Sequence, residues 1–505
     1  MASAKKQKTF RPKARRPRGL EDKTAEVIAA ERGLIANASA VYESYGFAPL
    51  ETPAFEYADA LGKFLPDSDR PNEGVFAFQD DDAQWMALRY DLTAPLARFV
   101  AERYDGLPKP FRRYQTGSVF RNEKPGPGRF REFQQCDADS VGAPGPAADA
   151  EMIALAAEVM GAAGLAEDEY VVRVNDRRLL DAVLAQSGLP DTEAGRAQRL
   201  AVLRAIDKLD RLGLSGVEAL LGAGRKDESG DYTKGAGLDP AGVKRILDFV
   251  QAGGESRADT LSALAGLAGA EDALAGLAVM DTLLNRLGVS DRRAAFDPSV
   301  VRGLAYYTGP VFEVELQLET VNDRGEPARF GSVGGGGRYD DLVARFKGQT
   351  VPATGFSFGV TRFSAALAAL GRLGGTETAA PVVILSLEAD ALADYFSLAR
   401  ALRDASVPAE VYLGGAGMKT QLKYADKRGA RLAIIRGEDE RQAGQLTVKD
   451  LVLGAELAKT IDDNKAWREA QPAQVSIPMV DPTDPTEQVR VVAAVREMLD
   501  RGDKP

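Results

Sequence analysis

Apolar side chains recur at helical spacing near the start of this chain. From Leu20 to Tyr45 they repeat every three or four residues, which predicts a helix that stops at Tyr45-Gly46. Between residues 47 and 134 the apolar runs are short and are broken by proline and glycine, as is typical of strands joined by turns. Residues 147–161 return to the helical period. The first third of the chain is therefore predicted to be a mixed α and β region.

The pattern changes in the middle of the chain. Residues 175–295 are rich in alanine, leucine, arginine and aspartate, and they contain two near-repeats of Ala-Leu-Ala-Gly-Leu-Ala at 263–268 and 273–278. We interpret this segment as a helical insertion. Strand character resumes at Val311–Glu315, and a loop rich in glycine and threonine, residues 371–378, then precedes a separate C-terminal unit.

Strand and helix patterns alternate in the C-terminal unit, which predicts a small sheet with helices on its faces. The predicted strands are 382–385, 409–413 and 432–435, and the predicted helices are 391–405, 419–428 and 486–499. Residues 459–482 look inserted before the last helix. The fold class is thus a multidomain α/β and α+β architecture. Its parts are a basic arm, a core, a helical insertion and an α/β domain with a C-terminal extension, at 1–18, 19–174 with 296–372, 175–295 and 379–505.

Composition narrows the possible chemistry. The chain has 505 residues, enough for several domains, and its 45% apolar and 27% charged content is typical of soluble folded proteins. No apolar run approaches the roughly eighteen residues that cross a bilayer, and no secretory leader opens the chain, so we expect a cytoplasmic protein. One cysteine, Cys136, and no histidine exclude an intrachain disulfide, a thiolate zinc cage and any imidazole mechanism. Catalysis must use arginine, lysine, carboxylates, hydroxyls, backbone groups or a carboxylate-held metal.

Charge is unevenly distributed along the chain. The net charge of −10 argues against nonspecific coating of nucleic acid. The first eighteen residues nevertheless contain only basic charges. A block of this kind is usually a solvated, disordered arm, and contact with RNA is the competing interpretation.

The most unusual segment runs from Phe111 to Asp139. Two extended runs flank Pro125-Gly-Pro-Gly128, which predicts a long hairpin. In the second run a period of two places six side chains on one face: Arg129, Arg131, Phe133, Gln135, Asp137 and Asp139. Unpaired charges are costly to bury in a core, so we expect this face to line a cavity for polar ligands. A solvated face with many salt bridges is the alternative.

Two kinds of side chain in this hairpin suit a nucleotide. The planar guanidinium groups of Arg121 and Arg129 match phosphate oxygens, and the ring of Phe133 offers a face to a base. No phosphate loop accompanies them, because residues 414–420 place Met418 where the second glycine of such a loop must stand. A nucleotide would therefore be held by side chains above a sheet.

These segments resemble the class II aminoacyl-tRNA synthetases and, within that class, the histidyl-tRNA synthetases. Residues 45–53, 120–133 and 355–363 resemble the three class II motifs in chain order. Residues 301–309 and 335–340 resemble the histidine-specific signature and the glycine-rich strand that follows it. The resemblance implies a catalytic core built on an antiparallel sheet, a C-terminal anticodon-binding domain and a homodimer.

The resemblance also implies substrates and site residues. It implies that histidine is activated with ATP and Mg²⁺, that pyrophosphate is released, and that histidine passes to the terminal adenosine of its tRNA. The implied catalytic residues are Arg121 and Arg302. The implied histidine-binding residues are Asp91, Thr93, Gln135, Asp139, Tyr306, Tyr307 and Tyr339, and the implied ATP-binding residues are Arg121, Glu123, Arg129, Phe133 and Arg362. The metal would arrive with ATP rather than in a protein cage.

Other interpretations stay open. Asp91 and Thr93 also have the side chains expected to cap a helix that begins near Ala94-Pro95. A noncatalytic relative that regulates ATP phosphoribosyltransferase in histidine biosynthesis would keep the fold, but it usually lacks the anticodon module and loses phosphate-binding arginines. A class II enzyme for another amino acid, such as threonine or proline, is a third interpretation.

The chain departs from the familiar pattern at several positions. Ala305 stands where the histidine signature has an acid, and Asp91 and Asp139 stand where glutamate is frequent. The third motif contains Gly-Val-Thr-Arg, residues 359–362, in place of Gly-Leu-Glu-Arg. These departures indicate a divergent bacterial branch.

Overall fold

The computed structural model divides the chain into two compact units, Met1–Gly375 and Thr376–Pro505. The described residues are 11–64, 74–126, 128–189, 191–192, 195–226, 230–303, 306–318, 320–321, 327–328, 330–373, 380–460 and 473–501. Parts of the sequence predictions lie outside them, among them residues 1–10 of the basic arm, Pro127 of the predicted turn, Leu304 and Ala305 of the histidine signature, residues 374–378 of the linking loop and residues 461–472 of the apparent insertion.

A large sheet organises the first unit. The strands among its described residues are β1 Ala48–Pro49, β2 Phe55–Tyr57, β3 Ala77–Gln79, β4 Trp85–Leu88, β5 Phe111–Phe120, β6 Glu132–Val141, β7 Tyr170–Asp176, β8 Gly224–Lys226, β9 Tyr232–Lys234, β10 Ala294–Phe296, β11 Pro310–Leu316, β12 Thr320–Val321, β13 Pro327–Ala328, β14 Ser332–Arg338 and β15 Ala353–Phe358. Eight of these described strands form one sheet in the order β1-β5-β6-β15-β14-β11-β7-β10. The six central strands are antiparallel, and β1 and β10 are parallel edge strands. The expected antiparallel core sheet is confirmed.

The predicted long hairpin lies inside this sheet. β5 and β6 pair from Phe111 opposite Val141 to Phe120 opposite Glu132. Gly128 in the connecting loop has a φ of 63°, a left-handed conformation that glycine adopts without steric cost. The two strands therefore form the hairpin that the sequence predicted.

Helices cover one face of the sheet. In the described part of the first unit they are α1 Ala25–Ser44, α2 Thr93–Arg103, α3 Ala147–Ala162, α4 Arg177–Gln186, α5 Arg196–Ile206, α6 Leu209–Leu221, α7 Pro240–Val250, α8 Arg257–Leu264, α9 Glu271–Arg286, α10 Ala344–Lys347 and α11 Val360–Ala369, with 3-10 turns at Ala58–Phe64 and Tyr104–Gly106. The buried helix α3 packs against β14, β15, α1 and α9. The apolar face of the sheet contributes Ala138, Phe312, Phe356 and Phe358 to the same hydrophobic cluster. The opposite, polar face is thereby left for a ligand.

Helices α4 to α9 occupy the segment predicted as a helical insertion, together with the small hairpin β8–β9. Leu180, Val202, Ile246 and Leu284 belong to the same hydrophobic cluster as Phe312 of the sheet. The segment therefore shares its core with the sheet. Its separate role as an inserted domain stays a prediction.

The first helix begins at Ala25 and not at Leu20 as the apolar spacing predicted. Gly19, immediately before the predicted start, contacts the hairpin loop. The backbone N–H of Arg131 donates to the carbonyl oxygen of Gly19 at 2.8 Å, and Gly19 has a φ of 79° that no α-helix allows. A segment distant in sequence thus contacts the chain just before Leu20, where the backbone is not helical, and the helix forms only from Ala25.

The second unit is a smaller sheet with helices. Its described strands are β16 Val382–Ile384, β17 Ala409–Val411, β18 Leu432–Ile435, β19 Gln445–Asp450 and β20 Gln474–Pro478, and its described helices are α12 Leu392–Asp404, α13 Met418–Lys427, α14 Glu438–Gln442, α15 Leu451–Thr460 and α16 Pro485–Asp500. The strand order is β17-β16-β18-β19-β20, parallel around β16 and antiparallel from β18 onward. The predicted α/β pattern is confirmed, but β19 and β20 were not predicted. β20 is an edge strand in which Ile477 is the only buried residue. Its sequence therefore carries little apolar signal.

Candidate active site

Two adjacent rows of paired residues form the polar face of the first sheet. Residues directly opposite each other on neighbouring strands share a face. The rows are Arg113–Asp139–Gly355–Gly337 and Gln115–Asp137–Ser357–Gly335–Glu313. The glycines keep the floor open beside the carboxylates, since a methyl group added at Gly355 would collide with the carboxylate of Asp139.

Asp139 is fully enclosed by two partners. Its Oδ2 lies 2.9 Å from Nη2 of the buried Arg113, and its Oδ1 accepts a hydrogen bond from the Tyr339 hydroxyl. Arg113 also donates to the carbonyl oxygen of Leu92 at 2.8 Å, which connects this pair to the start of α2. Burial raises the pKa of Asp139, and the charge of Arg113 opposes the rise. The pair is a fixed polar wall.

Asp137 is a different kind of carboxyl group. It is 1% exposed, and among the described residues neither of its oxygens has a hydrogen bond of normal geometry, although the nearby Ser357 hydroxyl favours its charged form. Burial, followed by the charge of Asp139, raises the pKa of Asp137 to about 8. Asp137 is therefore mostly protonated at neutral pH until a cation reaches it.

Gln135 follows on the same strand. Its amide nitrogen donates to the Ser357 hydroxyl at 2.6 Å, while its oxygen has no partner among the described residues. The predicted continuation of this face to Arg129 and Arg131 is wrong, because β6 begins only at Glu132. Arg131 instead donates from Nε to the carbonyl oxygen of Glu123 at 2.8 Å within the loop.

Three tyrosines pack beside this wall. The ring centroid of Tyr306 lies 5.1 Å from that of Tyr307 and 5.5 Å from that of Tyr339. Gly337 makes room for them, since a methyl group there would approach Cδ1 of Tyr307 to 2.9 Å. Burial raises the pKa of all three hydroxyl groups, so each remains a neutral group that can donate or accept a hydrogen bond.

Asp91 and Thr93 stand at the start of α2. Oδ1 of Asp91 accepts from the backbone N–H groups of Thr93 and Ala94 at 3.1 and 2.9 Å, so the helix-capping interpretation is confirmed for Asp91. Thr93 is the first residue of α2 rather than its cap. The charge of the Asp91 carboxylate also helps to raise the pKa of Tyr306 and Tyr307. Thr93 also forms a hydrogen bond with the Tyr306 side chain. Capping thus fixes Asp91 where it borders the pocket.

Four arginines meet at the other end of the polar face. The pKa of Arg362 is lowered first by burial and then by the charges of Arg302, Arg129 and Arg121. Only Glu313 opposes this effect among the main contributions. The other three guanidinium groups therefore lie within electrostatic range of Arg362, and together the four cations favour a polyanionic ligand.

Arg121 is held by two aromatic rings. Its guanidinium carbon lies 4.4 Å from the ring centroid of Tyr90 and 5.0 Å from that of Phe133. Tyr90 donates through its hydroxyl to Glu123 at 2.9 Å, and Glu123 lies 4.0 Å from Nε of Arg129. The predicted ATP residues of the hairpin are therefore brought together, with Arg121 over the ring of Phe133 that was expected to receive a base.

Arg302 forms an ion pair with Glu313 of β11. The side chain of Arg302 is 44% exposed, whereas that of Glu313 is 15% exposed. Burial raises the pKa of Glu313, and Arg302 lowers it. Arg302 is thus oriented by a carboxylate of the sheet, with half of its surface still available to a ligand.

The third motif is anchored by a residue of α1. Thr361 donates through its hydroxyl to the buried Glu31 at 2.8 Å and accepts from the backbone N–H of Gln134 at 3.0 Å. Lys23 contacts the same carboxylate at 2.7 Å. A carboxylate from another helix therefore lies beside the position where the family pattern has glutamate.

Two family models match segments of this chain. The family model described as histidyl-tRNA synthetase matches residues 19–363, and that of an anticodon binding domain matches residues 381–468.

The chain belongs to the histidyl-tRNA synthetase family.

Relatives of this family cover nearly the whole chain. A histidine–tRNA ligase of Caulobacter vibrioides is 56% identical over 93% of this chain and 95% of its own length. One of Brucella ovis is 52% identical over 98% of this chain and 97% of its own length. The crystal structure of a histidyl-tRNA synthetase from Nostoc sp. PCC 7120 is 28% identical, with a TM-score of 0.68, and covers 97% of this chain and 100% of that one.

Asp137 was predicted on the cavity-lining face of the hairpin, but without a ligand of its own. Arg113 was not predicted, although it lies in the same hairpin, directly opposite Asp139. Glu31, Tyr90 and Glu313 carried no sequence signal, because they reach the site only through contacts between segments far apart in sequence. Within the described residues, no helix is both long and apolar enough to span a membrane.

Proposed function

We propose that this chain activates histidine with ATP and transfers the histidine to the terminal adenosine of its tRNA. The observation that carries the proposal is geometric: Arg121 lies against the rings of Tyr90 and Phe133, and Arg302 is paired with Glu313 on the polar face. The charges of both, and that of Arg129, act on Arg362. Four cations with two nearby carboxylates, Glu123 and Glu313, suit a triphosphate. The buried carboxyl and tyrosine wall beside them suits a small polar amino acid.

In the first step, a carboxylate oxygen of histidine attacks the α-phosphorus of ATP. The new O–P bond forms as the bridging P–O bond to the β-phosphate breaks, and pyrophosphate leaves with the bonding electrons. We assign Arg121 and Arg302 to the α-phosphate and Arg129 and Arg362 to the β- and γ-phosphates. No proton moves in this step, so a chain without histidine can catalyse it by positioning and charge stabilisation.

The neighbouring wall would hold the amino acid. Asp91 is assigned to the α-ammonium group of histidine. Its Oδ1 caps α2, and its charge acts on Tyr306 in the tyrosine cluster. Neutral hydroxyls and carboxyls can match the nitrogens of an imidazole. The residues assigned to histidine are Asp91, Thr93, Gln135, Asp139, Tyr306, Tyr307 and Tyr339, and to these the geometry adds Asp137.

A metal ion and a further substrate, tRNA, also take part. Mg²⁺ would come bound to ATP and screen the phosphate charge; among the described residues no group of three or more carboxylates or thiols could cage a metal. In the second step, the ribose hydroxyl oxygen of tRNA attacks the carbonyl carbon of the adenylate. An ester bond forms, the acyl–phosphate bond breaks, AMP leaves with the electrons, and the hydroxyl proton passes to AMP or solvent. The match of residues 381–468 to an anticodon-binding domain supports tRNA as the acceptor.

Exchange of labelled pyrophosphate into ATP tests the proposal. We expect exchange that depends on histidine and that Arg302→Ala abolishes, while Arg400→Ala, an exposed arginine of the second unit, leaves it unchanged. Arg302→Ala should still fold, because Glu313 can take up a proton when its partner is lost. If the unchanged protein is folded but shows no exchange, the regulatory relative is favoured. Exchange that depends on threonine or proline would favour another class II enzyme.

Two accompanying proposals rest on the same function. The likeness of residues 45–53 to the first class II motif supports a homodimer, which light scattering of the full chain would test by its mass. A role in charging tRNA for translation also supports a cytoplasmic location, which cell fractionation would test.

A further inference from the structure

The described part of the N-terminal arm is a string of exposed cations. It carries five basic residues and no acid: Arg11, Lys13, Arg15, Arg16 and Arg18. Arg16 lies 3.9 Å from Asp22, whose side chain is 91% exposed, and a pair so open to water compensates little charge. The arm is thus a local positive region on a chain whose net charge is −10.

The arm is tied to the hairpin loop of the candidate active site. The Arg131 N–H donates to the Gly19 carbonyl oxygen at 2.8 Å. Gly19 has a φ of 79°, and a methyl group there would lie 2.9 Å from Cγ of Arg131 and 3.1 Å from Cβ of Pro125. Only glycine therefore fits this anchor. Eight extended residues span at most about 29 Å, so residues 11–18 stay within that distance of the loop.

The loop itself connects the arm to the arginine cluster. It carries the exposed cations Lys124 and Arg129, and Arg129 is one of the charges that act on Arg362. ATP is too small to need charges on both the cluster and an arm outside it. If the end of a nucleic acid entered the cluster, its backbone phosphates would pass beside the arm.

We propose that residues 11–18 bind backbone phosphates of the tRNA near its acceptor end, and that the Gly19–Arg131 contact holds them there. This inference rests on the proposed transfer of histidine to tRNA. The ligand class is a single RNA chain or duplex end, recognised by charge rather than by base sequence.

The test compares the full chain with a variant in which the five cations of residues 11–18 are replaced by glutamine. Binding of uncharged tRNA is measured over a range of KCl concentrations, without turnover. Each phosphate contact contributes roughly 0.7–0.9 to the slope of log affinity against log salt, so losing three contacts should lower the slope by about 2 and weaken binding at least about tenfold. Histidine-dependent pyrophosphate exchange, which needs no tRNA, should stay within about twofold of the unchanged protein.

A second pair of variants tests the anchor while all charges remain. Gly19→Ala should weaken tRNA binding several-fold, whereas Gly33→Ala, where an added methyl group meets no atom of the described residues within 4 Å, should not. The proposal would be overturned if the salt slope of tRNA binding did not change in the five-residue variant. It would also be overturned if that variant lost binding to phosphatidylserine vesicles but kept its binding to tRNA. Wild-type tRNA binding by Gly19→Ala would overturn the anchor. Absence of exchange in the unchanged protein would contradict the proposed function separately, since the binding measurement does not depend on it.

Discussion

Glu31 and Thr361 are 330 residues apart in sequence, yet the threonine hydroxyl donates to the glutamate carboxylate at 2.8 Å. The same hydroxyl accepts from the backbone of Gln134, so one side chain joins α1, β6 and α11. Arg362 of the arginine cluster is the next residue along the chain. The contact therefore sets the position of a predicted ATP ligand.

Replacing Thr361 by valine should destabilise the protein and impair use of ATP. The Gln134 N–H would lose its acceptor in a partly buried place, which costs about 1–3 kcal/mol of unfolding free energy. Urea denaturation measures this loss, and we expect the KM for ATP to rise more than that for histidine. Thr282→Val is the control, since the Thr282 hydroxyl is exposed and, within the described part of the chain, donates to Ala278 of its own helix. Equal effects of the two substitutions would show that the network has no positioning role.

Adding a methyl group at Gly355 should remove histidine binding selectively. The methyl group would collide with the carboxylate of Asp139, which Arg113 and Tyr339 hold in place. Calorimetry should show histidine affinity reduced at least about tenfold in Gly355→Ala, with ATP binding within about threefold, since loss of one good polar contact corresponds to about 1.4 kcal/mol or more. Gly415→Ala, where the methyl group meets no atom within 4 Å in the part of the chain that the structure describes, should behave as the unchanged protein. Normal histidine affinity in Gly355→Ala would remove Asp139 from the pocket.

The buried carboxyl of Asp137 predicts a specific pH dependence of stability. Burial raises its pKa from the ordinary carboxyl value of about 4 to about 8, so the folded state binds a proton that the unfolded state has released between these values. Its contribution to stability is complete below about pH 4 and is lost as pH rises through about 8. Asp137→Asn, which keeps the neutral form, should therefore gain stability relative to the unchanged protein as pH rises from 5 to 8. Parallel unfolding curves for the two proteins over this range would disprove the raised pKa.

Arg362→Gln should separate stability from ATP binding. In the ligand-free protein Arg362 is partly buried and repelled by three other arginines, so its neutralisation should leave Tm unchanged or higher. ATP at 100 times its Kd stabilises a folded protein by about 2.7 kcal/mol, and the variant should lose most of this gain at the same ATP concentration. Thermal unfolding with and without ATP and Mg²⁺ measures both effects, with Arg400→Gln as the exposed control. A lower ligand-free Tm combined with a full ATP shift would contradict the assignment.

The sequence by itself determined the local elements and much of the chemistry. Alternation along β6 and the Pro125–Gly128 turn predicted the hairpin, because strand period and turn conformation depend on neighbouring residues alone. The motif resemblance predicted the family and the arginines of the site. Helical and strand spacing also predicted most of the second unit.

Only the tertiary structure decided how these residues act on one another. The proton on Asp137, the anchoring of Thr361 by Glu31 and the orientation of Arg302 by Glu313 depend on which segments become neighbours and on how deeply they are buried. Burial changes the energy of a charge far more than sequence position does, and burial exists only once distant strands and helices have packed. The sequence therefore identified most of the site residues, and packing determined their charge states and relative positions.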